Sequence, residues 1–288
     1  MVLPDTEITA ESIGNKELQY KLQVTNVGLL GKIQNVMFAT WSETGGQDDL
    51  VWYTGHKNAD GNWETTVDIR DHKTAGKYEV DVYYTLANGT MKGLGSTFFE
   101  VNRPSFTTSI QNYDEEKGTF EVVVSNIVSA SGVEQVQVPV WCAADQSDIR
   151  WYDAEKQNDG TYKVKVSIAN HNFSVGTYQV HVYLTTKNGL TQGVVAGTQK
   201  VTLPDMKITA EDTTGEELTY RLQAANVGLL GVLKNVMFAT WSETGGQDDL
   251  VWYTGHKNAD GTGKRQWTSG IIRQLVSMKW MYIIHWRT

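Results

Sequence analysis

Cysteine, proline and long apolar runs are what this sequence has least of. A single cysteine, Cys142, among 288 residues excludes an intrachain disulfide and any cysteine-rich zinc site. No stretch of about 18 apolar residues occurs, so no transmembrane segment is expected. The opening MVLPDTEITA lacks the basic-then-apolar pattern of an export signal. Positive charge is scarce as well. The net charge is −8, and the last 27 residues contribute five positive charges and no negative ones, which leaves −13 on residues 1–261. So acidic a body repels phosphate backbones, and nucleic acid is set aside as a partner.

What is present is glycine and aromatic rings: 27 Gly, 10 Trp and 13 Tyr beside only 4 Pro. Such a chain can fill a core and turn often, and it does not read as disordered. The rings also recur. NVMFATWSETGGQDDLVWYTGHKNADG stands at Asn35 to Gly61 and again, unchanged, at Asn235 to Gly261, an offset of 200 residues. A divergent copy lies between, aligned at Trp41/Trp141, Trp52/Trp151, Gly61/Gly160, Tyr78/Tyr178 and Gly89/Gly189. The repeating unit is therefore about 100 residues, an ordinary domain size. The expected boundaries are 1–102, 103–202 and 203–261, the last being the front part of a third unit. Residues 262–288 stand apart.

That tail, TGKRQWTSGIIRQLVSMKWMYIIHWRT, departs from the first unit at one point and never rejoins it. Reading Asn62 to Thr65 from AAC TGG GAA ACG and deleting one base gives ACT GGG AAA CGA, which spells Thr262 to Arg265. Permitted codons continue the match to Thr288. A cationic amphipathic segment with Ile272, Leu275 and Val276 on one face would suit a membrane surface. The codon match instead predicts a frameshifted reading of the third unit, outside any native domain, with the last three strands lost.

Within the first unit, ELQYKLQV and GKYEVDVYY alternate apolar and polar residues at period two, the mark of half-buried strands. Further strands are expected at Glu7 to Glu11, Val36 to Ser42, Leu50 to Tyr53, Trp63 to Ile69 and Gly95 to Val101. The breaks SETGGQDD, NADGN, HKTAG and ANGT between them are rich in turn residues. About seven short strands per unit predict an all-β chain of tandem immunoglobulin-like antiparallel β-sandwiches with the third copy truncated. Gly76, Tyr78, Val80 and Val82, and likewise Gly176, Tyr178, Val180 and Val182, fit a tyrosine corner.

The Trp, then QDDLVWY or QSDIRWY, then an Asn/Asp-Gly turn, then GxYxVxVY and a closing NG, resemble the group B streptococcal Bsp-like repeat family over nearly all of residues 1–261. The resemblance implies extracellular or cell-wall location, in streptococci or their phages, often beside a peptidoglycan hydrolase. It implies cell-wall glycan or peptidoglycan as partner. Val2-Leu3-Pro4-Asp5 matches the linker at Thr202-Leu203-Pro204-Asp205, so a piece of a longer surface protein or lysin is expected.

No catalytic constellation is expected, and no cofactor or metal. Cys142 with His171 and His181 could form a Cys/His pair, but Cys142 takes the place of Ser42 and Ser242, and His181 that of Asp81. Gln47-Asp48-Asp49 and Gln247-Asp248-Asp249 could bind calcium or act on a glycosidic bond. The second unit has Gln146-Ser147-Asp148 instead, so a turn or capping role is expected.

Tryptophan and tyrosine remain, because their flat rings stack on sugars. Alternation in VQVPVW puts Val136, Val138 and Val140 inward and Trp141 outward. The same parity applied to IRWY puts Ile149 and Trp151 inward. Trp52, Trp151 and Trp252 are then expected in the core, and Trp41, Tyr53, Trp141, Tyr152, Trp241 and Tyr253 on the surface as the binding strip. Two other readings stand beside this: Trp41 covers the end of its own sandwich, or the units are a stalk or adhesin.

Overall fold

A computed structural model describes residues 6–27, 33–202, 207–213, 219–225, 227, 233–242, 247–258, 266–268, 272–273 and 278–286. The first unit contributes β1 (Ile8–Ser12), β2 (Gln19–Val24), β3 (Ile33–Ser42), β4 (Val51–Thr54), β5 (His56–Lys57), β6 (Trp63–Asp68), β7 (Gly76–Leu86) and β8 (Met91–Val101). They form two antiparallel sheets, β1-β2-β6-β5 and β4-β3-β7-β8. Tyr20, Leu22 and Val24 from the first sheet meet Val36, Phe38, Tyr78, Val80 and Val82 from the second, all buried. The period-two pattern thus delivers one face of each sheet to a shared core, as a sandwich requires.

The chain changes sheets at Gly55, whose N–H donates to the Val36 carbonyl at 2.8 Å. A Cβ there would come within 3.0 Å of Phe38 Cε2. The second unit carries Ala154 at this crossing, with the same bond to Val136, and has the smaller Val138 where the first has Phe38. Large and small thus trade across one contact.

The second unit repeats the plan with β9 (Ser105–Asp114), β10 (Thr119–Val128), β11 (Val133–Trp141), β12 (Arg150–Asp153), β13 (Glu155–Lys156), β14 (Tyr162–Ser167), β15 (Gly176–Thr186) and β16 (Thr191–Val201). Its sheets are β13-β14-β10-β9 and β12-β11-β15-β16. Both tyrosine corners close as the sequence predicts: Tyr78 donates to the Thr74 carbonyl at 2.8 Å and Tyr178 to that of Ser174 at 2.7 Å. Burial pushes the Tyr78 phenol up to about 12, so it stays a donor across the physiological range.

In the third unit, β17 (Lys207–Asp212), β18 (Thr219–Ala225), β19 (Leu233–Ser242), β20 (Val251–Thr254) and β21 (His256–Asn258) follow the first. The expectation that the strands beyond Gly261 are lost differs from what is seen. β22 (Gln266–Thr268) and β23 (Ile272–Arg273) pair with β18, and β24 (Met278–Trp286) pairs with β19. Leu233↔Trp286 and Ser242↔Met278 reproduce Ile33↔Leu86 and Ser42↔Tyr78. A backbone ladder needs an extended segment of the right length and no proline, and the tail supplies both whatever its side chains. Residues 262–265, where the tail departs, lie outside the described residues.

The first two units are joined by more than a linker. In the turn between β15 and β16, Leu190 is buried within the first unit's core cluster rather than its own. Asn188, also buried, donates from Nδ2 to the Glu17 carbonyl at 3.0 Å. Glu17 in turn accepts from the Asn102 N–H at 2.8 Å and its Nδ2 at 2.6 Å, gripping the linker. Gly189 sits at φ +85°, and a Cβ there would meet Lys73 Cγ at 3.3 Å, so the turn approaches as closely as only glycine permits. The same turn of the first unit, Asn88 to Thr90, is exposed.

Candidate functional site

Residues opposed in an antiparallel pair share a face. Trp52 opposes Ala39, and Trp151 opposes Pro139, both on the outer face of their sheets. Trp52, Trp151 and Trp252 are accordingly 45%, 53% and 42% exposed, which corrects their expected place in the core. The parity argument failed because it counted the strand from Ile149. A turn intervenes and the ladder begins at Arg150, so every face after it is reversed.

The same reversal turns Tyr53, Tyr152 and Tyr253 inward. Tyr53 opposes Phe38 and packs against the core, and its hydroxyl lies 3.0 Å from His72 Nε2. His72 Nδ1 lies 3.1 Å from Asp49 Oδ2, while Asp49 Oδ1 accepts the Ser42 N–H at 2.9 Å. In the second unit Tyr152 reaches His171 Nε2 at 2.8 Å, and His171 Nδ1 lies 3.0 Å from the Asp148 carbonyl. Asp148 accepts the Cys142 and Ala143 N–H groups. Here the aspartate is a clamp that folds the loop back on its own strand, with both carboxylate oxygens engaged. Tyr53 was expected on the surface as part of the binding strip, and His72 was not singled out from the sequence; the recurrence of Tyr, His and Asp at matched positions in two units was the available signal.

Cys142 is half-buried, and burial pushes its thiol up, with Asp148 adding to the shift. Both nitrogens of His171 are held by other groups, and the His181 ring lies edge-on to Trp141 at 4.8 Å. Among the described residues no group of three or more His, Cys, Asp or Glu could hold a metal ion.

Trp41, Trp141 and Trp241 are half-buried and do face outward, but away from Tyr53, Tyr152 and Tyr253. Trp41 opposes Glu79 on the neighbouring strand, and Trp141 has the His181 ring beside it, whereas the other tryptophan of each unit packs on a tyrosine. Trp52 reaches across β3 to Tyr83, with ring centroids 5.3 Å apart, and roofs Ala39, which is only 3% exposed. Trp151 and Tyr183 repeat this at 5.4 Å over buried Pro139. Gly93 and Gly193 oppose these tyrosines, and a Cβ on Gly193 would lie 2.7 Å from Tyr183 Cε1. The glycine lets the ring lie down on the strand. Beside Trp41 in the first unit stand Glu79 and, beyond it, exposed Phe98, with Lys77 Nζ 4.9 Å from the Phe98 centroid. Lys77 also pairs with Glu79 and, at 2.9 Å, with Glu43. The arrangement is an exposed aromatic shelf edged by charge, which can stack flat apolar surfaces and bond polar groups around them.

The sheets define a tandem array of immunoglobulin-like β-sandwich repeats. The chain belongs to the GBS Bsp-like repeat family, whose profile matches residues 9–99, 109–199 and 209–285. None of the curated proteins matches it. Solved structures with some likeness include a 1.5-MDa bacterial ice-binding adhesin described for host cell surface retention. It is 13% identical over 93% of this chain and 86% of that one, with a TM-score of 0.26. A Ca2+-stabilized adhesin that helps an Antarctic bacterium bind ice is 12% identical over 98% and 73%, TM-score 0.28. S. aureus TarS 217-571 is 8% identical over 68% and 62%, TM-score 0.31. At these scores the likenesses bear on neither ligand nor activity. No helix among the described residues is long and apolar enough to cross a membrane.

Proposed function

We propose that the repeats are non-catalytic, extracellular modules that bind bacterial cell-wall glycan or peptidoglycan through the aromatic shelf. The observation that carries this reading is the recurrence of Trp52, Trp151 and Trp252, each large, apolar and about half exposed at the same place on the outer face. Burying such a ring stabilises a fold by a few kcal/mol, so leaving it in water three times over points to something that covers it. Several weak shelves on one chain bind a polymeric wall with avidity. Co-sedimentation of the whole chain with purified peptidoglycan tests this, with release of soluble fragments assayed in the same tubes. Binding without release is expected; absence of binding removes the wall as ligand, and release of fragments removes the non-catalytic assignment.

A second reading, a stalk that holds other domains away from the surface, is favoured by one feature: the turn of the second unit that inserts Leu190 into the first. A joint with a buried apolar contact and a side-chain hydrogen bond holds a fixed angle between units, as a spacer requires. The two readings are compatible, because a stiff array can present its shelves in sequence along a polymer.

A further inference from the structure

The second unit differs from the first at one edge of the sandwich, where β12 meets the turn after β14. A recess of about 400 Å3 there is lined by Arg150, Trp151, Tyr152, Ala169, Asn170 and Asn172. Arg150 replaces the Val51 of the first unit and the Val251 of the third. Its Nε donates to the Asn170 carbonyl at 3.1 Å, which fixes the guanidinium beside the recess. Among the described residues neither its Nη groups nor the Asn172 carboxamide has a hydrogen-bond partner, and Trp151 is 53% exposed. Asn170 Nδ2 donates to the Tyr152 hydroxyl at 3.3 Å, so the floor is already satisfied. At the matching edge of the first unit stand Asp71 and Lys73, and Arg70 is tied to Asp68 at 2.5 Å. The first unit has no free guanidinium there, and the second does.

Resting on the wall-glycan reading above, we infer that this recess of the second unit binds a carboxylate-bearing sugar, with Arg150 holding the carboxylate and the Trp151 face the ring. A guanidinium presents two parallel N–H donors that match a planar carboxylate. An indole stacks on the apolar face of a pyranose, and the Asn172 carboxamide is placed to bond ring hydroxyls. One cation in an otherwise neutral recess sets the preference for an acidic over a neutral sugar.

The test titrates the whole chain with glucuronic acid, glucose and inorganic phosphate, following the Trp151 indole N–H by NMR. Glucuronic acid should bind at least about tenfold more tightly than glucose, since a hydrogen bond to a charged group supports a discrimination of that size. Arg150→Val, which installs the residue carried by the other two units and so keeps a fold-compatible side chain, should abolish that preference. Equal affinity for the two sugars, an unchanged preference in the variant, phosphate binding as tightly as glucuronic acid, or no response at Trp151 would each overturn the inference. Sedimentation with purified walls separates the two levels. Retained wall binding without a glucuronic acid preference ends this inference alone, whereas a wild-type chain that ignores walls ends the reading beneath it.

Discussion

The Tyr53 hydroxyl and His72 Nε2 lie 3.0 Å apart, and the pair recurs as Tyr152 and His171 at 2.8 Å. Each satisfies a polar group that the other's burial would leave orphaned, and each histidine stands edge-on to the corner tyrosine with centroids 5.2 Å apart. Tyr53→Phe keeps the ring and deletes the partner. It should lower stability by about 1–3 kcal/mol, the cost of an unsatisfied buried group. Chemical denaturation checks this, and an unchanged midpoint would mean that water replaces the hydroxyl.

Burial holds the His171 imidazole below its ordinary pKa, with the bond to the Asp148 carbonyl opposing the shift. The unfolded chain therefore takes up the proton first, near pH 6.5, so the neutral histidine's contribution is present above that value and lost as pH falls below it. Thermal unfolding followed from about pH 7.5 to 5.5 should show a decline that His171→Gln flattens. Parallel curves for the two proteins would contradict it.

Leu190 belongs to the second unit by sequence and to the first by packing. Leu190→Ala should therefore destabilise the first unit, by about 2–5 kcal/mol if the site collapses as buried leucines do elsewhere. Amide exchange reads the two units separately: faster exchange at Leu22 and Val80 with Val164 and Val180 unmoved is the expected pattern. Loss confined to the second unit would show that the joint does not couple them.

The third unit keeps the β19–β24 register but places Met278 where the first has its corner tyrosine, and at the offset of 200 residues its sequence has Ile272 in place of His72. Lacking both polar anchors, it should unfold at a lower denaturant concentration than its neighbours and be cleaved first in limited proteolysis. Replacing residues 262–288 with the sequence of 62–88 should bring its midpoint up towards that of the first unit. Equal protection of all three units in the unaltered chain would remove the argument.

The strands were legible in the sequence because each buries one face. Alternation in ELQYKLQV and GKYEVDVYY maps onto β2 and β7, and the tyrosine corner followed from spacing alone. The faces of the short edge strands were not legible. β4 and β12 have four residues each, and a single residue of slippage at the preceding turn exchanged Trp52 with Tyr53. Nor was the joint: Leu190 reads as an ordinary turn residue until the neighbouring unit is in place. The Tyr, His and Asp cluster is spread over three separate segments, so only folding brings it together.

The most direct measurement is wall binding by the whole chain carrying Trp52→Ala, Trp151→Ala and Trp252→Ala together. Each ring rests on one face only, so each substitution should cost the fold about 1 kcal/mol, the scale of one aromatic pair contact. If the shelf is the binding surface, the folded triple variant sediments with purified peptidoglycan at least about tenfold less tightly than the unaltered chain, since avidity over several sites is lost at once. A triple variant that stays folded and binds walls as well as the original would show that the exposed tryptophans are not where the ligand sits.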